Sequence, residues 1–583
     1  MVESKLSYSK FKELSPDETI NKILEIFKSK LNVVFDIKIN KRFENIYSVN
    51  VIDKLGNWNT SGKGTDELYS VASGLGEAIE HICNYQAYDY NNIANANKQK
   101  FGFERYVDEV YLPIEYVKDD CIDIFKDMLS TFDKSSDNIN SLDVIKFWEY
   151  YLDSNQTNFI KFFDLKNNVE KYLPEKIIWH LCGSNGGGAG NSNEEAIGHA
   201  VDEIIERYVK HEIYSLKLTP PTISKDFLRI TVPELLNVIE SIETQHNIDI
   251  IVKDASLGKD YHALCILLIN RNNHSYLVNF GSHPKFEIAL ERCITEVFQS
   301  YKLNEYDQRK NMKIWNPTFS NCSSYTDNWV SLLRDDVGDI PNEFFTKEYS
   351  WEFKPWNQFL NYSNKDGLQY HLNLVLNNGF NVYIRNNSYL RFPVFFVYIP
   401  KMSLNHVPIN EYQYDLYNIY IEIKKKLINK EKLNEIDIQN AKRFFNKDTY
   451  FYQLFFRRMN KTQFLLFQAA ISYDENNLSD TLDILNREVN TDFKTISNFI
   501  HLTKMYTLKQ SLEIMESLYN TSHLECIKFW DQGKTFKNLF ENSLSLEKFD
   551  KSANYTDYIN QLYLKFKEVQ ISSNVNQSLN IFY

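Results

Sequence analysis

Pairs of glutamates recur at a three-residue spacing in two helical segments of the sequence. Glu77 and Glu80 lie within residues 66–82, and Glu203 and Glu206 lie in a second segment. Side chains three residues apart share one face of a helix, where like charges repel each other unless a cation lies between them. The pairs therefore predict a divalent-cation site, and the alternative is that each is the solvated face of an amphipathic helix.

A third helical segment, residues 286–299, adds charged groups of both signs. Arg292 and Glu296 lie on the side of this segment away from Phe286 and Leu290. Mg²⁺ prefers oxygen ligands, which carboxylates, water and phosphate groups supply together. Three helices that each offer carboxylates, two of them preceded by glycine-rich turns, predict a pocket of oxygen ligands for magnesium.

Glycine is concentrated just before the second acidic helix. Residues 183–190 contain five of the 18 glycines in the chain. Because glycine permits close approach to a ligand, the backbone N–H groups of this stretch and the following helix N-terminus predict a cradle for phosphate oxygens. A mobile surface loop followed by a Ser192–Glu195 capping box is the alternative. The G-x-x-x-x-G-K-[ST] pattern and the kinase motifs are missing, so any nucleotide site is of another type.

The elements that must position these residues form a mixed pattern. Periodicity predicts a helix within residues 1–32 that begins near Ser15, and glycine almost vanishes after about residue 405, where helical periodicity dominates. Further predicted helices begin near residue 65 or span residues 232–244 and 286–301. Predicted strands span residues 46–53, 248–253 and 263–270, a return strand after the turn at 272–273 ends at residue 280, and another strand lies within residues 390–400. The pattern predicts an α+β fold over residues 1–404, followed by an all-α, tetratricopeptide-like domain over residues 405–583.

Composition and charge exclude several classes of protein. A chain of 583 residues with 43% hydrophobic residues can fill two or three cores. The net charge of −12 argues against direct nucleic-acid binding, since a phosphate backbone requires a basic surface. Seven cysteines without a CxxC pair predict reduced thiols. Without a secretory signal or a run of 18 apolar residues, we expect a cytoplasmic protein with no membrane partner.

Together these motifs resemble the YcaO superfamily. Its ATP-binding motifs read SxxxExxE, SNGxxAGNxxxEA…ExxER and RxxxE, and all of them occur here in that order. The residues that carry the resemblance are Ser73, Glu77, Glu80, Ser184, Asn185, Gly186, Ala189, Gly190, Asn191, Glu195, Glu203, Glu206, Arg207, Arg292 and Glu296. SGKG at residues 61–64 and FGSHPKFEIALER from residue 280 add to it. The sequence is most similar to full-length, stand-alone members, over nearly the whole chain.

The resemblance implies an ATP-binding fold with mixed sheets and helices, in which Mg²⁺ is held between carboxylates and the triphosphate. By position, the magnesium ligands are Glu77, Glu80, Glu203, Glu206 and Glu296. The residues that bind ATP are Lys12, Thr19, Ser73, Ser184, Asn191, Glu195, Arg207 and Arg292. Among these, Lys12 and Thr19 lie near the base or ribose, and Arg207 and Arg292 act on the transferring phosphoryl group. The branch also implies a homodimer.

The sequence departs from the family pattern at two places. His81 stands where the first motif usually has arginine, which leaves the role of this position open. The printed sequence ends in SLNIFY, without the PxPxP tail that is typical of azoline-forming members. The second departure argues against a cyclodehydratase of that kind.

The resemblance also implies a reaction. Family members activate a backbone amide by adding a nucleophile and phosphorylating the resulting oxygen with ATP, so no nucleophile from the protein is needed and Cys182 is interpreted as a packed thiol. For this branch we expect an accessory factor for β-methylthiolation of a small-subunit ribosomal protein, with a peptide or protein substrate and a partner protein. The alternatives are a cyclodehydratase or thioamidation enzyme for a ribosomally synthesised peptide natural product, and a nucleotide-binding scaffold without chemistry.

Overall fold

The computed structural model describes separate stretches of the chain, most of them before residue 405. Described are residues 12–43, 45–56, 58–87, 103–116, 155–272, 276–299, 340–356, 363–404, 422–423, 426, 431, 433–439, 553–573 and 575. The chain divides into two compact units. The first comprises Met1–Met128, Ile139–Val407 and Ser552–Tyr583, and the second comprises Leu129–Asn138 and Pro408–Lys551. The helices and strands described here all belong to the first unit.

The predicted division at residue 404 stays a prediction, and one C-terminal helix bears on it. Helix α9 (Ala553–Ser573), which that division assigns to the second domain, groups with the first unit. The tetratricopeptide-like architecture predicted for residues 405–583 otherwise falls almost entirely outside the described residues.

The first sheet supports two helices of the candidate site. Strands β1 (Asp36–Phe43), β2 (Ile46–Asp53) and β3 (Trp58–Gly64) pair antiparallel in that order. Helix α2 (Glu67–Cys83) packs on β2 and β3, and helix α1 (Pro16–Ile26) packs on α2. The N-terminus of α1 is fixed by a capping box with Ser15, as the sequence predicts.

Close packing between α2 and the first sheet depends on small residues. Val49 and Val51 are fully buried on one side of β2, and Gly74 of α2 lies against both. A side chain at Gly62 would overlap the backbone of α2. The SGKG residues 61–64 therefore lie within strand β3, and the predicted glycine-rich turn before α2 is wrong. These glycines let a helix approach a strand.

A second antiparallel sheet holds a large hydrophobic core. It consists of β8 (Ile248–Asp254), β9 (Ala263–Asn270) and β10 (Tyr276–Ser282), with β9 at the centre. Helix α6 (Pro233–His246) packs on β8. Helix α7 (Phe286–Gln299) packs on β9 and β10 and also contacts β2 and β3, so it joins the second sheet to the first.

The third sheet is antiparallel at each of its pairings, but its neighbouring strands do not follow one another along the chain. Its strands are β4 (Val110–Pro113), β5 (Gln156–Asp164), β11 (Tyr383–Asn386), β12 (Val394–Tyr398) and β7 (Gly187–Ala189) in spatial order, with β6 (Val169–Pro174) paired to β5. Helix α4 (Asn193–Ser215) packs on β7, β12 and β10, and helix α8 (Asn364–Asn377) packs on α4. Short helices α3 (Glu175–Cys182) and α5 (Lys225–Thr231) complete the connections.

The mixed α and β architecture predicted for residues 1–404 is confirmed in the described part. The strands predicted over 46–53 and 263–270 have those bounds as β2 and β9. Sequence patterns did not resolve residues 92–175, although β5 and β6 form an antiparallel pair there. Cys83, Cys182, Cys265 and Cys293 are buried free thiols. Among the described residues, no helix has the length and apolar character that a membrane crossing requires.

Candidate functional site

One cavity of about 580 Å³ lies where α1, α2, α4, α7 and α8 meet. Every side chain predicted to bind magnesium or ATP contributes to its lining: Lys12, Thr19, Ser73, Glu77, Glu80, Ser184, Asn191, Glu195, Glu203, Glu206, Arg207, Arg292 and Glu296. The fold therefore brings together residues that lie up to 284 positions apart in the chain, from residue 12 to residue 296. Their individual roles stay predictions.

The acidic faces of α2 and α4 lie inside this cavity. Glu80 is only 8% exposed, which a freely solvated helix face would not produce. Burial raises the pKa of Glu77 to about 7, against the opposing charge of Lys63. Burial, together with the charges of Glu203 and Glu77, holds the pKa of Glu80 well above its usual range. Such costly burial of carboxyl groups indicates that the site is built to receive positive charge.

Cations of the chain itself lie among the carboxylates. The ammonium of Lys63, on β3, forms an ion pair with Glu296 of α7. The guanidinium of Arg207 contacts Glu203 one turn earlier on α4, with Nε–Oε1 and Nη2–Oε1 distances of 3.0 and 2.9 Å. Burial raises the pKa of Glu206, and the charges of Lys63 and Arg292 oppose that rise. Acidic and basic side chains from three helices and one strand therefore lie together in the site.

Arg292 is held by a buried acid that the motifs do not contain. Its Nη1 donates to the Ser282 carbonyl oxygen at 2.6 Å and to Asp202 Oδ2 at 3.3 Å. The other oxygen of Asp202 lies 2.9 Å from Nδ1 of His371, on α8. Asp202 is 3% exposed and His371 1%. Asp202 thus lies between Arg292 and His371, and the three side chains connect α7, α4 and α8.

The segment before α1 closes the cavity on the N-terminal end of α4. Lys12 Nζ lies 2.8 Å from Glu195 Oε1, and the Glu13 amide donates to Glu195 Oε2 at 3.4 Å. Thr19 Oγ1 donates to Asn191 Oδ1 at 3.1 Å. Ser192 caps α4 by accepting from the Glu195 amide, while the Glu195 carboxylate is engaged by Lys12. The alternative of a reciprocal capping box at these two residues is therefore only half realised.

The glycine-rich stretch before α4 forms a turn over residues 183–186 and strand β7 over Gly187–Ala189, and its role as a phosphate cradle stays a prediction. The amides of Gly187 and Gly190 already donate to Ser184 O at 3.0 Å and Pro393 O at 3.1 Å. A Cβ at Gly187 would lie 2.5 Å from Glu80 Oε1. These glycines have a packing role, because side chains at Gly187 and Gly188 would separate β7 from the helices that carry the carboxylates.

Two other glycines leave open space on the cavity wall. Gly76 of α2 and Gly198 of α4 both line the cavity, and no atom lies within 4 Å of the position that a Cβ would take at either. Glycine inside a helix costs about 0.5–1 kcal/mol relative to alanine. Within the described part of the chain, no neighbour requires glycine at either position, so the open space is suited to a ligand.

The chemistry of the donor set suits Mg²⁺ bound together with a nucleotide. Within the described ranges, no three His, Cys, Asp or Glu side chains are close enough to hold a metal ion by themselves. Mg²⁺ keeps several waters and uses one or two carboxylates together with substrate phosphates. Carboxylates spaced around the cavity, with arginines among them, therefore fit a magnesium–phosphate complex better than a bare ion.

His81 takes the place of an arginine and does not replace its charge. The ring lines the cavity, and its centroid lies 6.3 Å from that of Trp58. Burial lowers the pKa of His81 to about 4. The imidazole is neutral at pH 7, so this position contributes no positive charge toward a phosphate.

Sequence reasoning missed Lys63, Asp202 and His371. Lys63 lies in the recognised SGKG motif, and the alternation of a strand places its side chain opposite the packed glycines on either side. Asp202 lies four residues before Glu206 and so shares a helix face with it. His371 carries no local signal, because only tertiary packing brings α8 to α4.

Comparison with known proteins identifies the family. A family model described as "YcaO cyclodehydratase, ATP- and Mg²⁺-binding" matches residues 61–403. The Escherichia coli K12 protein named "Ribosomal protein S12 methylthiotransferase accessory factor YcaO" is 30% identical over 320 residues, covering 54% of this chain and 52% of that protein. An uncharacterised protein of Haemophilus influenzae is 29% identical over 329 residues, with coverages of 54% and 52%. The chain spans about half the length of these curated relatives.

Two solved structures are similar at lower identity. "Heterocyclase in complex with substrate and Cofactor" has a TM-score of 0.48 and 17% identity, and covers 67% of this chain and 53% of that one. "The structure of YcaO from Methanopyrus kandleri bound with AMPPCP and Mg²⁺" has a TM-score of 0.42 and 16% identity, with coverages of 67% and 92%. The family resemblance expected from the motifs is confirmed by the match of the family model.

Proposed function

This chain belongs to the YcaO family, and from that premise we propose that it binds ATP with Mg²⁺ in the cavity and activates a backbone amide by phosphorylation. One observation carries the proposal: carboxylates from α2, α4 and α7 line the same cavity as Arg207 and Arg292. Acidic and basic groups converging on one cavity match a triphosphate and its metal, which carry opposite charges.

The proposed roles follow the positions of the side chains. Mg²⁺, when bound, would neutralise charge on the triphosphate, and the residues that would hold it are Glu77, Glu80, Glu203, Glu206 and Glu296. Arg207 and Arg292 would orient the phosphates and stabilise charge on the transferring group. The other residues that would bind ATP are Lys12, Thr19, Ser73, Ser184, Asn191 and Glu195.

The biological setting that we propose is that of an accessory factor. The Escherichia coli relative is named as an accessory factor of ribosomal protein S12 methylthiotransferase, which supports methylthiolation of a small-subunit ribosomal protein as the process served here. The substrate is then a backbone amide of that protein. The same proposal includes a partner enzyme, and it makes this chain a cytoplasmic homodimer.

Glu203→Gln tests the site directly. The substitution removes one charged oxygen ligand and keeps the shape of the side chain. We expect MgATP affinity, measured by isothermal titration calorimetry, to fall at least roughly 10-fold, the order of loss seen when a metal site is perturbed, with ATP hydrolysis falling in parallel. The matched control is Glu240→Gln on α6, because the Glu240 side chain is 45% exposed and lies outside the cavity.

Three results would each reject part of the proposal. No Mg²⁺-dependent ATP binding by the unaltered protein would reject the nucleotide site. Unchanged affinity in Glu203→Gln would reject the metal assignment. ATP binding without hydrolysis, with or without a candidate protein substrate, would favour a scaffold over an enzyme.

A further inference from the structure

Lys63 lies among several acidic groups of the cavity. Its ammonium pairs with Glu296, and the charges of Glu206, Glu77 and Glu203 all attract it. Its side chain is 25% exposed, so it lies within the cavity wall and is not a mobile surface lysine. One ammonium from β3 thus faces carboxylates from α2, α4 and α7.

The backbone fixes where this ammonium can reach. Lys63 lies between Gly62 and Gly64, and side chains at these two positions would overlap the backbone of α2. Its amide donates to Ser73 Oγ at 3.4 Å. Because strand residues alternate in direction, close packing of the glycines on α2 leaves the Lys63 side chain to extend toward α7.

The arginines of the cavity do not serve the same acids. Arg207 pairs with Glu203 on its own helix, and Arg292 pairs with Asp202 and the Ser282 carbonyl oxygen. Arg292 thus interacts with an acid outside the predicted magnesium ligands, and Arg207 with an acid one turn away on its own helix. Lys63, by contrast, pairs with Glu296 of a different element, α7.

We propose that Lys63 is an internal counter-ion, which occupies the space among these carboxylates when no metal is bound and must leave it when Mg²⁺ enters with a nucleotide. This inference rests on the proposed function. An ammonium and a divalent cation repel each other strongly at short range, so the two cannot share the carboxylates. The phosphates of ATP then offer the displaced ammonium a new anionic partner.

The consequence is selection of the metal–nucleotide complex over the free metal ion. Bare Mg²⁺ must displace Lys63 without offering it a partner, which weakens binding of the metal alone. MgATP brings the partner with it. Loss of the charge at residue 63 should therefore act in opposite directions on the two ligands, whereas a structural lysine would weaken both.

Lys63→Met tests this in the full chain. Binding of Mn²⁺ without nucleotide, measured by electron paramagnetic resonance, is expected to tighten by about 3–10-fold, and MgATP binding measured by calorimetry is expected to weaken by about 10-fold. Lys63→Arg keeps the charge and should restore MgATP binding in large part. The control is Lys54→Met, because Lys54 also pairs with a carboxylate, Asp36, at 2.9 Å but is 71% exposed and lies outside the cavity.

A second measurement uses the unaltered protein and does not depend on a variant folding. Acetylation of lysines by a small reagent, followed by mass spectrometry, is expected to modify Lys63 several-fold faster when Mg²⁺ alone is added at saturating concentration, with no change at Lys54. Unchanged acetylation of Lys63, or weaker binding of both ligands in Lys63→Met, would overturn the inference. Absence of any metal or MgATP binding by the unaltered protein would overturn the proposed function as well, so the two failures are distinguishable.

Discussion

Asp202 is a buried acid that holds a residue of the predicted ATP-binding set. It lies between Arg292 and His371, and it reaches both through different oxygens, at 3.3 and 2.9 Å. Arg292 belongs to the predicted phosphate-binding set, whereas Asp202 does not. Its ion pair with Arg292 holds the guanidinium in place, so Asp202 is a positioning residue.

We predict that Asp202→Asn weakens MgATP binding by roughly 10–100-fold, since a buried hydrogen bond to a charged group contributes about 1.5–3 kcal/mol. The amide keeps the volume of the carboxyl group but loses the ion pair with Arg292. Calorimetric titration with MgATP measures the effect, and a circular dichroism spectrum checks the fold.

Asp226→Asn provides the comparison. Asp226 also pairs with an arginine, Arg229, but its side chain is 88% exposed, and exposed ion pairs contribute little. We expect MgATP affinity to stay at its original value in this variant. An Asp202→Asn protein with the same affinity would show that Arg292 needs no support from α4.

The residues of the site differ in how far the sequence predicts them. Glu77 and Glu80 follow from helical spacing, which depends on geometry that every helix shares. Lys63 and His371 act through contacts between elements, and those contacts exist only once the chain has folded. A three-residue spacing can reveal a ligand set, but it cannot reveal which cation balances that set.

At the scale of elements, glycines set the distances between helices and strands. Gly188, in β7, would place a Cβ against the backbone of α4, whereas Gly198, on α4 itself, would place one in open space on the cavity wall. The same small residue thus serves packing at one position and leaves room for a ligand at the other.

This contrast predicts opposite effects on stability for two alanine substitutions. Gly188→Ala should lower the free energy of unfolding by about 1–3 kcal/mol through overpacking. Gly198→Ala should raise it by about 0.5–1 kcal/mol through helix propensity, yet weaken MgATP binding by filling the cavity. Thermal denaturation and calorimetry measure the two quantities. A Gly198→Ala protein that is more stable and binds MgATP normally would show that this space is not needed.

Prediction of elements succeeded where hydrophobic periodicity acts alone and failed where packing overrides local chemistry. Strand β2 alternates buried and partly buried residues from Val49 to Asp53 and has the bounds that its pattern predicts. Residues 61–64 and 183–190 contain glycines that would suit turns or loops. Residues 61–64 and 187–189 nevertheless lie in strands. A neighbouring helix occupies the space that side chains would need at several of these glycines, and sequence periodicity does not report that neighbour.

At the scale of the whole molecule, the first unit is discontinuous in sequence, and helix α9 completes it. Tyr563 Oη donates to the Ala87 carbonyl oxygen at 2.9 Å, and Lys567 Nζ donates to Tyr85 Oη at 2.7 Å. The Lys567 residue is fully buried. Burial lowers the pKa of its ammonium to about 6, so this contact depends on pH.

The sign of that dependence follows from proton counting. An unfolded lysine has a pKa near 10.4, so between about pH 6 and pH 10 the unfolded chain holds the proton that folded Lys567 has lost, and stability rises with pH. We predict that Lys567→Met removes this rise, which amounts to at most about 1.4 kcal/mol per pH unit.

Thermal denaturation of both proteins across this pH range, in matched buffers, provides the measurement. Lys565→Met serves as the control, because Lys565 is on the same helix and only partly buried. Parallel pH profiles for the original protein and Lys567→Met would mean that Lys567 is charged in the folded state.

A unit built from separated stretches also sets an order of events during synthesis. The ribosome releases α2 and Tyr85 long before α9, because the residues of the second unit, Pro408–Lys551, are made in between. The nascent first unit must therefore wait with an aromatic surface uncovered, and chaperones that recognise such surfaces would have time to bind. Release of helix α9 would then end that exposure, so burial of this surface has to follow synthesis of the second unit.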